Sequence, residues 1–250
     1  MNPWLQIFAA ENARGRIVCL PRAGGTSADF AKWGAASDDI EVCAVQLPGR
    51  LHRYREPAVR TTGLIVQGVV QALYEREYLP LLLFGDCMGA LLAFEIAREI
   101  RRASLPLPVG LVVASYAPPD QKRTSPNFHD APAEVFRNRL LEVGGLDPEV
   151  IDEDELFELL LPSLRADFEL FENYEYVPEP LLEVDIYAIG GQADPHVSLS
   201  DLEGWGCHTC RRFEARRFAG DHFFLRDNPS VIDFIKEVAL RDEAQERIAR

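Results

Sequence analysis

The chain has 250 residues, 47% of them hydrophobic and 26% charged, with Gly and Pro at 17 each. That is enough apolar material for one sizeable core, and it excludes fibrous, low-complexity and disordered classes. A formal charge of -14 at pH 7 argues against general affinity for nucleic acid or anionic membrane surfaces.

The first residues, MNPWLQIFAAENARG, place no basic segment before an apolar run, so no secretory signal is expected. No run approaches the ~18 apolar residues of a membrane span, and the protein is expected to be cytoplasmic. RIVCL (16–20) and IEVCAVQL (40–47) predict buried strands, and 62–75 has the apolar spacing of a helix. LLLFG (81–85) predicts a third strand and 90–102 a second helix. GLVVAS (110–115), VDIYAIG (184–190) and a weaker TCRRFEA (209–215) follow as strands, before a last helix from Pro229. Strands alternating with helices imply a mostly parallel sheet covered on both faces.

The alternation stops between 120 and 177. A polar stretch, PDQKRTSPNFHDAP, leads into helical pieces near 134–143, 152–161 and 164–174. The simplest organisation is a single α/β domain over 1–250 with a helical lid inserted at 120–177, above the carboxyl edge of the sheet. Phe168, Phe171 and Tyr174 recur at helical spacing and read as lid core.

The five cysteines do not make a disulfide framework. Cys19 and Cys43 lie within apolar strands and read as core thiols. Cys207-His208-Thr209-Cys210 lacks the second ligand pair of a zinc site, so no metal is expected there. Cys87 stands apart. Gly85-Asp86-Cys87-Met88-Gly89 follows a buried strand and opens a helix, the setting of the G-x-S-x-G nucleophile turn, with sulfur in place of oxygen. The small residues let strand and helix approach, the helix start favours a thiolate, and the Met88 amide points to where an oxyanion develops.

A nucleophile of this kind needs a base late in the chain and an acid between the two. His222, in FAGDHFFL, falls after the last strand and before the last helix. His52, His129, His196 and His208 occupy other settings. Asp194 follows the strand VDIYAIG and is the first choice of acid, while Asp120, after GLVVAS, is also permitted. The loop LPRAGGTSADF (20–30) follows the first predicted strand, and Ala23 is its expected second oxyanion donor.

PRAGGTSADF, VQLPGRLHRYREP (45–57), FGDCMGALLAFEIA (84–97), LLPSLRADFELFENYEY (160–176), IGGQADPHV and GDHFFL together resemble the type II thioesterases of polyketide synthase and nonribosomal peptide synthetase pathways. The resemblance spans about residues 16–235. It implies an α/β-hydrolase fold with a helical lid, and hydrolysis of acyl groups from the phosphopantetheine arm of an acyl or peptidyl carrier protein. It implies no bound cofactor. By position, Cys87 matches the nucleophilic serine, Asp194 the acid, His222 the base, Ala23 and Met88 the oxyanion amides, and residues 160–174 the lid.

The chain departs from that pattern where the family usually has Gly-His-Ser-Met-Gly, since Asp86 and Cys87 replace the His and Ser. Asp221 stands where glycine is more common before the base. An acyl-Cys87 intermediate is itself a thioester, close in energy to the substrate and open to amines and thiols as well as water. Asp86 is expected to oppose thiolate formation by like charge. Three readings follow: a thioesterase-like hydrolase working through acyl-Cys87; an acyltransferase or cyclase using an amine, hydroxyl or second carrier thiol as acceptor; and a non-catalytic carrier-binding module. The basic loop Arg50, Arg53 and Arg55 is a candidate carrier-docking surface. No nucleic-acid or membrane partner is expected, and a monomer is favoured.

Overall fold

The structure is a computed structural model that describes residues 2–8, 10–35, 38–121, 126–143, 148–226 and 228–241. Seven strands form one sheet: β1 (Leu5–Phe8), β2 (Gly15–Leu20), β3 (Ile40–Val45), β4 (Leu81–Asp86), β5 (Gly110–Ala114), β6 (Ile186–Gly191) and β7 (Phe213–Phe218). Their order is β1-β3-β2-β4-β5-β6-β7, with β1 antiparallel to β3 and every other pairing parallel. β2 to β6 are buried along their whole length, so they read as continuous apolar runs rather than alternating ones.

Two strands depart from the sequence expectation. β1 was not anticipated: LQIF is four residues with only Leu5 buried, too short and mixed to stand out. β7 begins four residues later than TCRRFEA suggested, because Thr209 instead makes an isolated bridge to Leu182. As an edge strand β7 is only partly buried, and FEARRF carries charges along its length.

One face of the sheet is covered by α2 (Thr62–Tyr74) and α3 (Met88–Arg102), the other by α1 (Ala31–Ala35) and α8 (Pro229–Ala239). α8 shows why the latter helix forms and docks. Pro229 at its first turn suits the missing N–H, and Val231, Phe234, Ile235 and Val238 recur on one buried face. Burying such side chains stabilises by roughly 1.5–3 kcal/mol each.

Between β5 and β6 lie α4 (Ala133–Val143), α5 (Pro148–Asp152) and α6 (Asp154–Glu172); α7 (Leu199–Gly204) follows β6. The expected break near 162 is absent, since α6 runs for 19 residues through Pro162. Phe128, Phe136, Phe168 and Phe171 form a chain of ring contacts at 4.8–5.5 Å, which binds α4 to α6.

The chain passes from β2 to β3 on one side and returns to β4 on the other. The gap between the carboxyl ends of β2 and β4 is therefore a topological switch point, where open α/β sheets build their sites. Leu20 is paired with Gly85 there, and Asp86 with Ala114.

Candidate active site

Cys87 occupies the turn between β4 and α3 with φ 52° and ψ −116°, a region that costs a non-glycine residue about 1–3 kcal/mol. Hydrogen bonds hold it there. Its N–H donates to the Ala114 carbonyl at 2.8 Å, and its own carbonyl accepts from Ala90 at 2.8 Å. The flanking glycines are required by contact: a Cβ at Gly85 would lie 2.1 Å from the Gly89 oxygen, and one at Gly89 would lie 2.2 Å from the Leu20 oxygen. The start of α3, with the Met88 amide, therefore abuts the end of β2 and the loop that carries Ala23. Helix-start amides such as that of Met88 have no partner within the helix.

His222 lies in the loop after β7, and its side chain interacts with that of Cys87. Its Nδ1 meets Asp194 Oδ2 at 2.9 Å. The other carboxylate oxygen, Oδ1, accepts the amides of His196 at 2.8 Å and Val197 at 3.2 Å, which fixes the carboxylate plane. Burial disfavours the imidazolium, yet the hydrogen bonds and charges of Asp194 and Cys87 outweigh it and push the His222 pKa up to about 10. Burial likewise opposes ionisation of Asp194, but the His222 contact and two amides hold its carboxyl below the usual range. Asp120 is occupied elsewhere: its Oδ1 meets His208 Nε2 at 2.9 Å. The pairing of His222 with Asp194 thus resolves the choice of partner that the sequence leaves open.

The Ala23 loop is held from the inserted helices. Asp167 of α6 accepts the Gly24 amide at 2.8 Å and receives Arg50 in a two-pronged ion pair at 2.8 and 2.6 Å. Gly24 has φ 73° and the Gly25 amide turns back to the Arg22 carbonyl at 2.9 Å. Asp86 is buried beside Cys87 and pairs with Arg22 at 3.7 Å, and burial pushes its carboxyl pKa up.

With Cys87, His222 and Asp194 in line at a sheet switch point, comparison with known proteins is informative. Residues 15–238 match the family described as Thioesterase domain. The chain belongs to the thioesterase family. Thioesterases are hydrolases acting on thioesters, and the mostly parallel sheet flanked by helices is the α/β-hydrolase fold. The thioesterase is 36% identical over 225 residues to "Gramicidin S biosynthesis protein GrsT" of Aneurinibacillus migulanus, covering 89% of this chain and 88% of that one. Among solved structures it is similar to the type II thioesterase BorB from the borrelidin biosynthetic cluster, with TM-score 0.86, 32% identity, and coverage of 95% and 98%. RedJ, a thioesterase from the prodiginine pathway of Streptomyces coelicolor, gives TM-score 0.83 and 35% identity over 92% of this chain and 93% of that one.

Other side chains singled out in the sequence take structural places in the thioesterase. Arg50 is spent on Asp167, and Arg53 is buried over the Trp4 ring at 4.4 Å while bonding the Gln46 carbonyl and Glu56. The basic loop is therefore not a free cationic surface; of Arg50, Arg53 and Arg55 only Arg55 is exposed. His129 is buried against Glu172 at 2.6 Å. Cys19 and Cys43 are fully buried, and Cys207 and Cys210 are exposed free thiols. Ser115 was missed: from the end of β5 its hydroxyl donates to the His222 carbonyl at 3.1 Å, anchoring the histidine loop. Among the described residues no group of three or more His, Cys, Asp and Glu is placed to hold a metal ion, and no helix is long and apolar enough to cross a membrane.

Proposed function

We propose that this thioesterase is a type II enzyme of polyketide or nonribosomal peptide biosynthesis, which cleaves acyl or aminoacyl thioesters from the phosphopantetheine arm of a carrier protein through an acyl-Cys87 intermediate. The observation that supports it is the Cys87–His222–Asp194 line at the end of β4, in a chain similar over nearly its full length to BorB and RedJ.

A His222 pKa near 10 makes the ring an imidazolium at neutral pH, and in the proposed cycle Cys87 reacts as the thiolate. The thiolate adds to the thioester carbonyl, and the oxyanion is received by the amides of Ala23 and Met88. Gly24 and Gly25 have their amides engaged, which leaves Ala23 as the loop donor in this assignment. Collapse expels the carrier thiol, which takes the proton from His222. The ring, now neutral, removes a proton from water as it attacks acyl-Cys87; the acid leaves and the thiolate–imidazolium pair is restored. Asp194 holds the ring and its charge throughout. No cofactor enters; the pantetheine arm arrives with the substrate. α4 to α6 form the lid over this chamber, the carrier is the protein partner, and the enzyme works in the cytoplasm.

The test is to incubate the enzyme with an acylated carrier and follow Cys87 by intact mass, with and without added amines. A transient acyl adduct on Cys87 and free acid as product support the assignment. An adduct that persists until an amine or thiol arrives makes the enzyme an acyltransferase, and absence of any adduct makes it a binding module.

A further inference from the structure

We propose that Arg22 and Asp86 form a positioning pair, which holds the loop carrying Ala23 against the Cys87 turn and sets the charge beside the Cys87–His222 couple. The inference rests on Cys87 as nucleophile and adds a role for the residues just before the nucleophile and the loop donor. Arg22 precedes Ala23 in the chain and Asp86 precedes Cys87, so their contact at 3.7 Å joins the two segments at their working ends. The Asp86 side chain is only 10% exposed, and a carboxylate so far from water calls for a counter-charge.

The same guanidinium reaches two further segments. It lies 3.6 Å from Asp29, in the short 3-10 turn Ser27–Phe30, and 5.7 Å from the ring centroid of Phe223, which follows His222. Gly24, on the far side of the loop, is held by Asp167. The loop thus has one anchor on α6 and another on the nucleophile turn. A cavity of about 340 Å³ lies alongside, with Arg22, Asp29, Lys32, Trp33, Asp86 and Arg226 among its walls. Arg22 lines this cavity, so the pair stands at its edge.

The charged groups around Asp86 are Arg22, Asp29 and His222, with Lys32 and Arg226 across the cavity. Removing the Asp86 charge leaves Arg22 unbalanced, which favours thiolate over thiol and neutral ring over imidazolium; both titrations move to lower pH. Removing Arg22 moves them up.

The experiment measures the pH midpoint of Cys87 alkylation by iodoacetamide, read by intact mass, together with acylation by an acyl-pantetheine thioester. Asp86→Asn is expected to lower the midpoint by about half a pH unit or more, and Arg22→Gln to raise it. Each slows acylation by about tenfold or more, through a displaced Ala23 loop. Arg22→Lys returns the midpoint towards the wild type; in the Asp86→Asn, Arg22→Gln double variant the midpoint returns while acylation stays slow. Shifts in the same direction, or none in variants with wild-type circular dichroism, overturn the pair. A wild-type enzyme that is alkylated but never acylated overturns the nucleophile assignment instead, while opposite midpoint shifts would still uphold the charge role.

Discussion

Asp194 gives one carboxylate oxygen to the His222 ring at 2.9 Å and ties the other to the amides of its own loop. Such a carboxylate fixes both the orientation and the protonated nitrogen of the ring. Asp194→Asn is expected to slow acyl-adduct formation by about a hundredfold or more, because the amide holds the ring less well and removes the charge opposite the imidazolium. Asp120→Asn, whose carboxylate meets His208 rather than His222, is expected to leave adduct formation unchanged. Stopped-flow acylation of the two variants compares them directly.

The raised pKa of His222 makes stability depend on pH. A group whose folded pKa exceeds its unfolded one stabilises fully below the unfolded value and loses that effect as pH rises through the folded value. For His222 the contribution is complete below about 6.5 and gone above about 10. The difference in urea midpoint between wild type and His222→Gln should therefore be flat near pH 6 and narrow steadily towards pH 10.

Arg50 and Asp167 have side chains only 4% and 2% exposed. Removing one partner strands a buried charge, so Arg50→Met is expected to cost about 3–5 kcal/mol of stability. Arg50→Met combined with Asp167→Leu should recover much of that loss in urea unfolding, while acylation stays slow because Gly24 has lost its acceptor.

Pro162 is exposed in the interior of α6, where it has no N–H to offer the carbonyl four residues earlier. The neighbouring Ser163 hydroxyl bonds the Leu160 carbonyl at 2.9 Å. Pro162→Ala restores a main-chain bond without disturbing packing, and a gain of about 1–2 kcal/mol is expected by thermal unfolding, reduced by the greater freedom of the unfolded chain.

Pro162 also shows where sequence reasoning fails. A proline between two apolar stretches reads as a break, but contacts along α6, from Phe157 to Leu170, outweigh the missing bond. β2 to β6 were legible because burial on both faces leaves uninterrupted apolar runs; β1 and β7 lie at the edges, where half-exposed residues blur the pattern. Cys87, Asp194 and His222 stood out as candidates because each follows a strand in a fixed chain order, and the structure brings Asp194 against His222. Nothing near Arg50 announces Asp167, which lies 117 residues away, so the arginine-rich loop reads as a docking surface although Arg50 and Arg53 are buried. Ser115 and the Arg22–Asp86 contact are likewise products of which strands end side by side.

The bond from Asp167 to Gly24 also limits how the enzyme can open. If α6 swung away as a rigid lever, it would break the Asp167–Gly24 bond and unseat the loop beside Cys87, and that geometry would have to be rebuilt each time. Any opening that keeps the Cys87 turn intact must therefore leave α6 in place.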